Sequence, residues 1–208
     1  MEPVAREISP TPAEYLPPVV LIAASADGIG AISEVIGALP HDFPAAMVVV
    51  QHRPANGRSM LTDLPASRTQ LTVRDASAGQ RMNAGTLYLA KPDRHLTISR
   101  GGTFHYVDGT RIRHLRSSAN PLFETAARFF GPKAIAVVLT GSGMDGTDGV
   151  QSIKASGGTV IAQDPKSARH RGMPAAAIQT GAVDLVLPLE AIAPTLMRLL
   201  NRGSDQRP

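Results

Sequence analysis

Val19-Val20-Leu21-Ile22-Ala23-Ala24-Ser25-Ala26-Asp27-Gly28-Ile29-Gly30-Ala31-Ile32 is the stretch that decides the fold. Its first six residues are unbroken apolar and open on a Val-Val-Leu-Ile run, which predicts a strand buried on both faces. Small residues then permit a sharp turn. Ile29, Ile32, Val35, Ile36 and Leu39 follow at helical spacing, so the segment is strand, turn, helix. The same kind of run recurs twice. Ala45-Ala46-Met47-Val48-Val49-Val50-Gln51 leads into His52, and Ala134-Ile135-Ala136-Val137-Val138-Leu139-Thr140 leads into Gly141-Ser142-Gly143-Met144-Asp145-Gly146. Parallel strands gather their functional loops outside their carboxyl ends. Ser25, His52 and Asp145 are therefore expected at one sheet edge, and they are the catalytic candidates: a nucleophile, a base and an orienting acid, the parts of a serine hydrolase.

Outward from these strands, helical patterns are expected over about 121–130, 148–155, 174–179 and 189–200, with a short helix near 59–64. Further strands are expected over 159–162 and 182–186. Alternating strands and helices predict an α/β fold with a mainly parallel sheet and right-handed crossovers. Between about 65 and 116 the pattern changes. Short alternating runs at 86–89, 95–98, 104–107 and 111–113 are separated by Lys91-Pro92-Asp93, Gly101-Gly102 and Asp108-Gly109. Asp-Gly between such runs is a hairpin signal, so an antiparallel insertion or sheet extension is expected here. Residues 1–17, with four prolines, are expected to form an arm. Residues 18–202 form one catalytic domain, and 203–208 a tail.

Composition removes several function classes. There is no cysteine, hence no disulfide, thiolate chemistry or Cys-ligated zinc. No His-x-x-x-His or His-Glu pair shares a helix face, so no metal is expected, and no organic cofactor. The net charge is +4, with clusters at Arg111–Arg116 and Arg169-His170-Arg171. Such clusters suit solvated loops or an acidic partner. Aromatics make up only 4% and do not interleave with the basic residues, which argues against nucleic acid. No apolar run approaches a membrane span and no signal peptide is visible, so the expected location is cytoplasmic.

Each site residue also has a plainer explanation. Ser25 alone is a helix N-cap, and its surroundings do not match Gly-x-Ser-x-Gly. His52, ahead of Arg53-Pro54, alone is a loop histidine. His41, His95, His105, His114 and His170 are less well placed. Asp145 is preferred to its rival Asp148 because it lies within the glycine pattern, whereas Asp148 marks a helix start. Asp27-Gly28-Ile29-Gly30-Ala31-Ile32-Ser33 is a truncated dinucleotide fingerprint. It lacks the third glycine, and the second strand ends in Gln51-His52 rather than in an acid for a ribose.

Several segments in this order carry a resemblance: Ile22-Ala23-Ala24-Ser25, Val48-Val49-Val50-Gln51-His52-Arg53-Pro54, Gly85-Thr86-Leu87-Tyr88-Leu89-Ala90, Val138–Gly146, Gly157-Gly158-Thr159-Val160-Ile161-Ala162-Gln163-Asp164 and Gly172-Met173-Pro174-Ala175-Ala176-Ala177-Ile178. From about 18 to 200 the chain resembles the chemotaxis-type protein-glutamate methylesterases, the CheB family. The resemblance implies a doubly wound, three-layer Rossmann-like α/β fold with an antiparallel hairpin addition. It implies a Ser25, His52, Asp145 triad, with the γ-methyl esters of glutamates on the cytoplasmic helical region of methyl-accepting chemoreceptors as substrate. Deamidation of receptor glutamines is a related implied activity. Ala26 and Ser142 become candidates for the oxyanion site, and Arg169 and Met173 for substrate contact.

Three departures from the family pattern stand out. The usual Gly-Ala-Ser-Thr-Gly-Gly is here Ala23-Ala24-Ser25-Ala26-Asp27-Gly28, which removes a threonine hydroxyl and places the negative charge of Asp27 near the base, where it would repel an acidic substrate. Ser142 replaces a usual methionine. Arg169-His170-Arg171 replaces apolar or aromatic residues. Seventeen residues ahead of the domain cannot hold the receiver domain common in the family, so a separate regulatory protein is expected. The same departures support an alternative, a catalytically weakened domain that only binds a receptor or signalling partner.

Overall fold

The computed structural model describes residues 16–52, 68–107 and 117–202. The expected helix near 59–64, the run at 111–113, the basic cluster 111–116, Arg53-Pro54, and nearly all of the arm and tail lie outside the described residues.

Among the described residues nine strands and five α-helices follow one another as β1 (Val19–Ala24), α1 (Gly28–Gly37), β2 (Ala46–Gln51), β3 (Thr72–Asp75), β4 (Thr86–Leu89), β5 (His95–Ile98), β6 (Phe104–Val107), α2 (Asn120–Phe130), β7 (Ala134–Val138), α3 (Thr147–Ala155), β8 (Thr159–Gln163), α4 (Gly172–Gln179), β9 (Leu185–Leu187) and α5 (Leu189–Arg202). Seven strands form one sheet in the order β3-β4-β2-β1-β7-β8-β9, every pair parallel. From β1 the chain first builds β2, β4 and β3 on one side, with β3 at the edge, and then β7, β8 and β9 in turn on the other. The switch point therefore lies between β1 and β7, where doubly wound sheets open a crevice.

The central strands are buried along their whole length, as continuous apolar runs require. Alternate residues face opposite layers. Val19, Leu21 and Ala23 pack with Phe123 of α2, Ile153 of α3 and Met173 of α4. Val20, Ile22 and Ala24 pack with Ile32 and Val35 of α1 and Ile192 and Leu196 of α5. No helix among the described residues is long and apolar enough to cross a membrane.

The middle section differs in part from the expected hairpins. Among the described strands β5 and β6 alone pair antiparallel, turning through Gly101-Gly102, with an isolated antiparallel bridge from Arg81 to Thr103 beside them, and Leu96, Ile98 and Phe104 join the α2 layer. The run at 86–89 is instead a fully buried parallel strand against β2. Beyond it lies β3, mostly exposed and without the apolar run that would announce a strand. The expected strand at 182–186 begins at Leu185. Ahead of it the Asp184 carboxylate accepts the Val160 N–H at 2.8 Å and binds Lys154.

Candidate active site

The parallel register sets the first two candidates level. Ala24 pairs with Gln51 across β1 and β2, so the next residues, Ser25 and His52, leave adjacent strands side by side, about 4.8 Å being the strand spacing. The His52 N–H donates to Ala24 O at 3.1 Å, and the Ser25 N–H to Thr140 O at 3.0 Å.

The turn after β1 is tied down from beneath. Ser25 O accepts Gln51 Nε2 at 2.5 Å and the Gly28 N–H at 2.9 Å. Gly28 has no room for a side chain: a Cβ there would lie 2.1 Å from Gln51 Oε1 and 2.7 Å from Ala24 Cβ. Gly141 is under the same constraint. Its Cβ would lie 2.4 Å from Met173 Sδ and 2.8 Å from Ser25 Cβ. The glycines on both sides of Ser25 thus let three loops close on one point. Gln163, fully buried at the end of β8, accepts the Thr140 N–H at 2.8 Å.

His52 Nε2 donates to Asp145 Oδ2 at 2.7 Å, with the His52 side chain 13% and the Asp145 side chain 2% exposed. Asp145 has further donors. Ser118 Oγ donates to Oδ1 at 2.5 Å and the Ala119 N–H to Oδ2 at 2.7 Å. Burial pushes the Asp145 carboxyl up. Hydrogen bonds from His52, Ser118 and Ala119, with the charge of His52, outweigh that and hold it below the ordinary carboxylate value. Asp148, the rival acid, is turned elsewhere and accepts Asn120 Nδ2 at 3.2 Å.

Ser118 is itself anchored. Its N–H donates to Nδ1 of His95, on the hairpin, at 3.1 Å. An accepting Nδ1 fixes His95 as the neutral tautomer protonated on Nε2, and that Nε2 is buried without a partner among the described residues. His95, set aside in the sequence, thus supports the acid's own support.

The remaining candidates divide. Ser25 and Arg169 line one cavity of about 460 Å³, together with Asp27, Gly28, Gln51 and Thr140. Ala26 is half-buried, and its carbonyl accepts Thr140 Oγ1 at 3.3 Å. Ser142 is exposed on the glycine loop. Met173 is fully buried and supports Gly141 by packing and by its N–H to Gly141 O at 2.9 Å. It is not a surface contact for substrate. Asp27 is not an unpaired charge: its Oδ2 lies 2.9 Å from His170 Nε2 and 3.4 Å from Arg169 Nε. Ser118, His95, Gln51 and Gln163 had no assigned role in the sequence. A serine just ahead of Asn120-Pro121 signals only a helix start, and its partner lies 27 residues further on.

A doubly wound α/β domain with a serine beside an imidazole–carboxylate pair, at the carboxyl edge of its sheet, is the class this arrangement defines. The chain belongs to the CheB methylesterase family, whose model matches residues 20–196. It is similar to the crystal structure of the Thermotoga maritima CheB methylesterase catalytic domain, with a TM-score of 0.84 and 36% identity over 89% of this chain and 100% of that one. A Moorella thermoacetica protein-glutamate methylesterase/protein-glutamine glutaminase is 41% identical over 88% of this chain and 44% of its own length. A putative enzyme of the same description from Leptospira interrogans is 35% identical over 90% of this chain and 97% of its own length. The chain spans about half the length of several relatives it matches, 44% and 52% for two of them.

Proposed function

We propose that the protein is a serine hydrolase that removes γ-methyl esters from glutamate side chains of chemoreceptor proteins, and that it also deamidates receptor glutamines. The observation that carries the reading is the 2.7 Å His52–Asp145 pair, set beside Ser25 by the β1–β2 register.

In this mechanism Ser25 Oγ attacks the ester carbonyl while His52 takes its proton. Asp145 occupies Nε2, so Nδ1 is the ring nitrogen left to accept that proton. Asp145 also stabilises the imidazolium that forms. The backbone N–H groups of Ala26 and Ser142 are the proposed oxyanion donors. Neither has a backbone acceptor among the described residues, whereas those of Ser25, Gly28 and Gly141 are taken. One such donor contributes about 3 kcal/mol to the transition state. The tetrahedral intermediate expels methoxide, protonated by His52 to methanol. Water, deprotonated by His52, then hydrolyses the glutamyl–serine ester. Loss of ammonia from a glutamine amide follows the same path.

The proposed partners are the helical cytoplasmic region of a methyl-accepting receptor and a regulatory protein, and the proposed location is the cytoplasm. Methanol release from a methylated receptor fragment tests the reading. Wild type releases methanol and Ser25→Ala does not; equal rates would overturn the assignment.

A further inference from the structure

Ser25 shares its cavity with a residue whose chemistry differs from that of the nucleophile. Arg169 lines the same space, on the loop between β8 and α4, with its side chain 80% exposed. The root of that loop is fixed. The His170 N–H donates to Thr140 Oγ1 at 2.9 Å, and His170 O accepts the Gly141 N–H at 2.9 Å. Both partners belong to the segment that also holds the Ser25 N–H.

Asp27 aims the side chain. It is the one non-glycine residue with positive φ, at 57°, among the described residues, a conformation Asp tolerates better than most side chains. It occupies the N-cap position of α1 but makes no capping bond, although capping is the usual work of an aspartate there. Its carboxylate turns outward instead, to His170 Nε2 and to Arg169 Nε. Taking the Nε edge leaves the two terminal amino groups of the guanidinium, which have no other acidic partner among the described residues. A guanidinium presents these donors in a fork that matches a carboxylate.

We propose that Arg169, aimed by Asp27, is a specificity-determining residue that binds a carboxylate of the substrate polypeptide close to the ester carried to Ser25. The proposal rests on the esterase reading above. It names the substrate class more closely: an acidic segment, with a carboxylate near the scissile ester, since Ser25 and Arg169 border one cavity. Asp27 is paired with the Arg169 guanidinium and hydrogen-bonded to His170, and so does not stand as a bare charge against such a segment. The chain's net charge of +4 favours its approach.

Two helical synthetic peptides test this, each carrying one glutamate γ-methyl ester, one flanked by glutamates and one by glutamines. Rates are normalised for each variant to its hydrolysis of p-nitrophenyl acetate, so that losses of folding or of Ser25 chemistry cancel. Wild type is expected to prefer the acidic peptide in kcat/KM by about three- to fivefold at low ionic strength, the range for a partly exposed ion pair, and to lose the preference at about 0.5 M salt. Arg169→Ala brings the ratio to one through KM, and Arg169→Lys restores part of it. Asp27→Gly reduces the ratio without lowering the unfolding midpoint, because glycine accepts the positive φ. A ratio of one in wild type, or an undiminished ratio in Arg169→Ala, overturns the proposal and leaves the esterase reading intact. Equal hydrolysis by wild type and Ser25→Ala overturns the esterase reading and this proposal with it.

Discussion

The two sides of the site are built differently. On the acid side, Asp145 is buried and accepts three hydrogen bonds from His52, Ser118 and Ala119, and Ser118 is held in turn by His95. On the nucleophile side, Asp27 and Arg169 meet in water, 42% and 80% exposed. The orientation-critical part lies where an unsatisfied group is expensive. The part that selects substrate lies where a residue can be exchanged at little cost in stability. The chain's departures from its family pattern at Asp27, Arg169 and His170 all fall on the second side.

The largest effects should come from breaking the buried side or the nucleophile. Ser25→Ala or His52→Ala is expected to lower methanol release by about 10⁶-fold, as when members of a catalytic unit are removed. Asp145→Asn is expected to lower it by about 10⁴-fold, through the wrong histidine tautomer. Asp148→Asn should leave the rate near wild type; a larger loss there than in Asp145→Asn would reverse the choice of acid.

A smaller effect is expected one step out. Ser118→Ala removes a donor from a buried carboxylate and should cost about 1–3 kcal/mol in denaturant unfolding, with a lower kcat. Little change in both would mean that the acid side is less constrained than its bonds suggest.

The acid side also makes a pH prediction. The Asp145 carboxyl is held below its ordinary value, so its ionised form favours the folded state. That contribution is fully present above the unfolded value, about 3.9, and is lost as pH falls through the folded one. The stability advantage of wild type over Asp145→Asn should be flat between about pH 5 and 8 and shrink below about pH 4. An advantage that grew on acidification would contradict the assignment of these bonds to the ionised carboxylate.

The smallest effect belongs to the exposed side. Asp27→Gly should leave unfolding stability unchanged or raise it by up to about 1 kcal/mol, since it trades a weak surface ion pair for a relaxed left-handed residue. A marked loss of stability would make the two sides alike.

How much was legible in the sequence follows the same division. β1, β2 and β7 announce themselves because strands buried on both faces need unbroken apolar runs. β3 does not, since it lies exposed at the sheet edge. β4 alternates like its hairpin neighbours, and only its register against β2 reveals a parallel strand. Ser25, His52 and Asp145 could be picked out because each follows a recognisable strand. The residues that hold Asp145 could not, because Ser118 and His95 matter only through pairing across 27 and 23 residues. The Asp27–Arg169 pair spans β1 to α4, so its two departures looked independent until the fold brought them together.

The central claim is that Ser25 is a nucleophile activated by His52 and Asp145. Labelling with a serine-directed organophosphonate, read by mass spectrometry of the digested protein, tests it most directly. One adduct on Ser25 is predicted, formed rapidly in wild type and Asp148→Asn and far more slowly in His52→Ala and Asp145→Asn. No adduct on Ser25, or one that forms equally fast without His52, would contradict the claim.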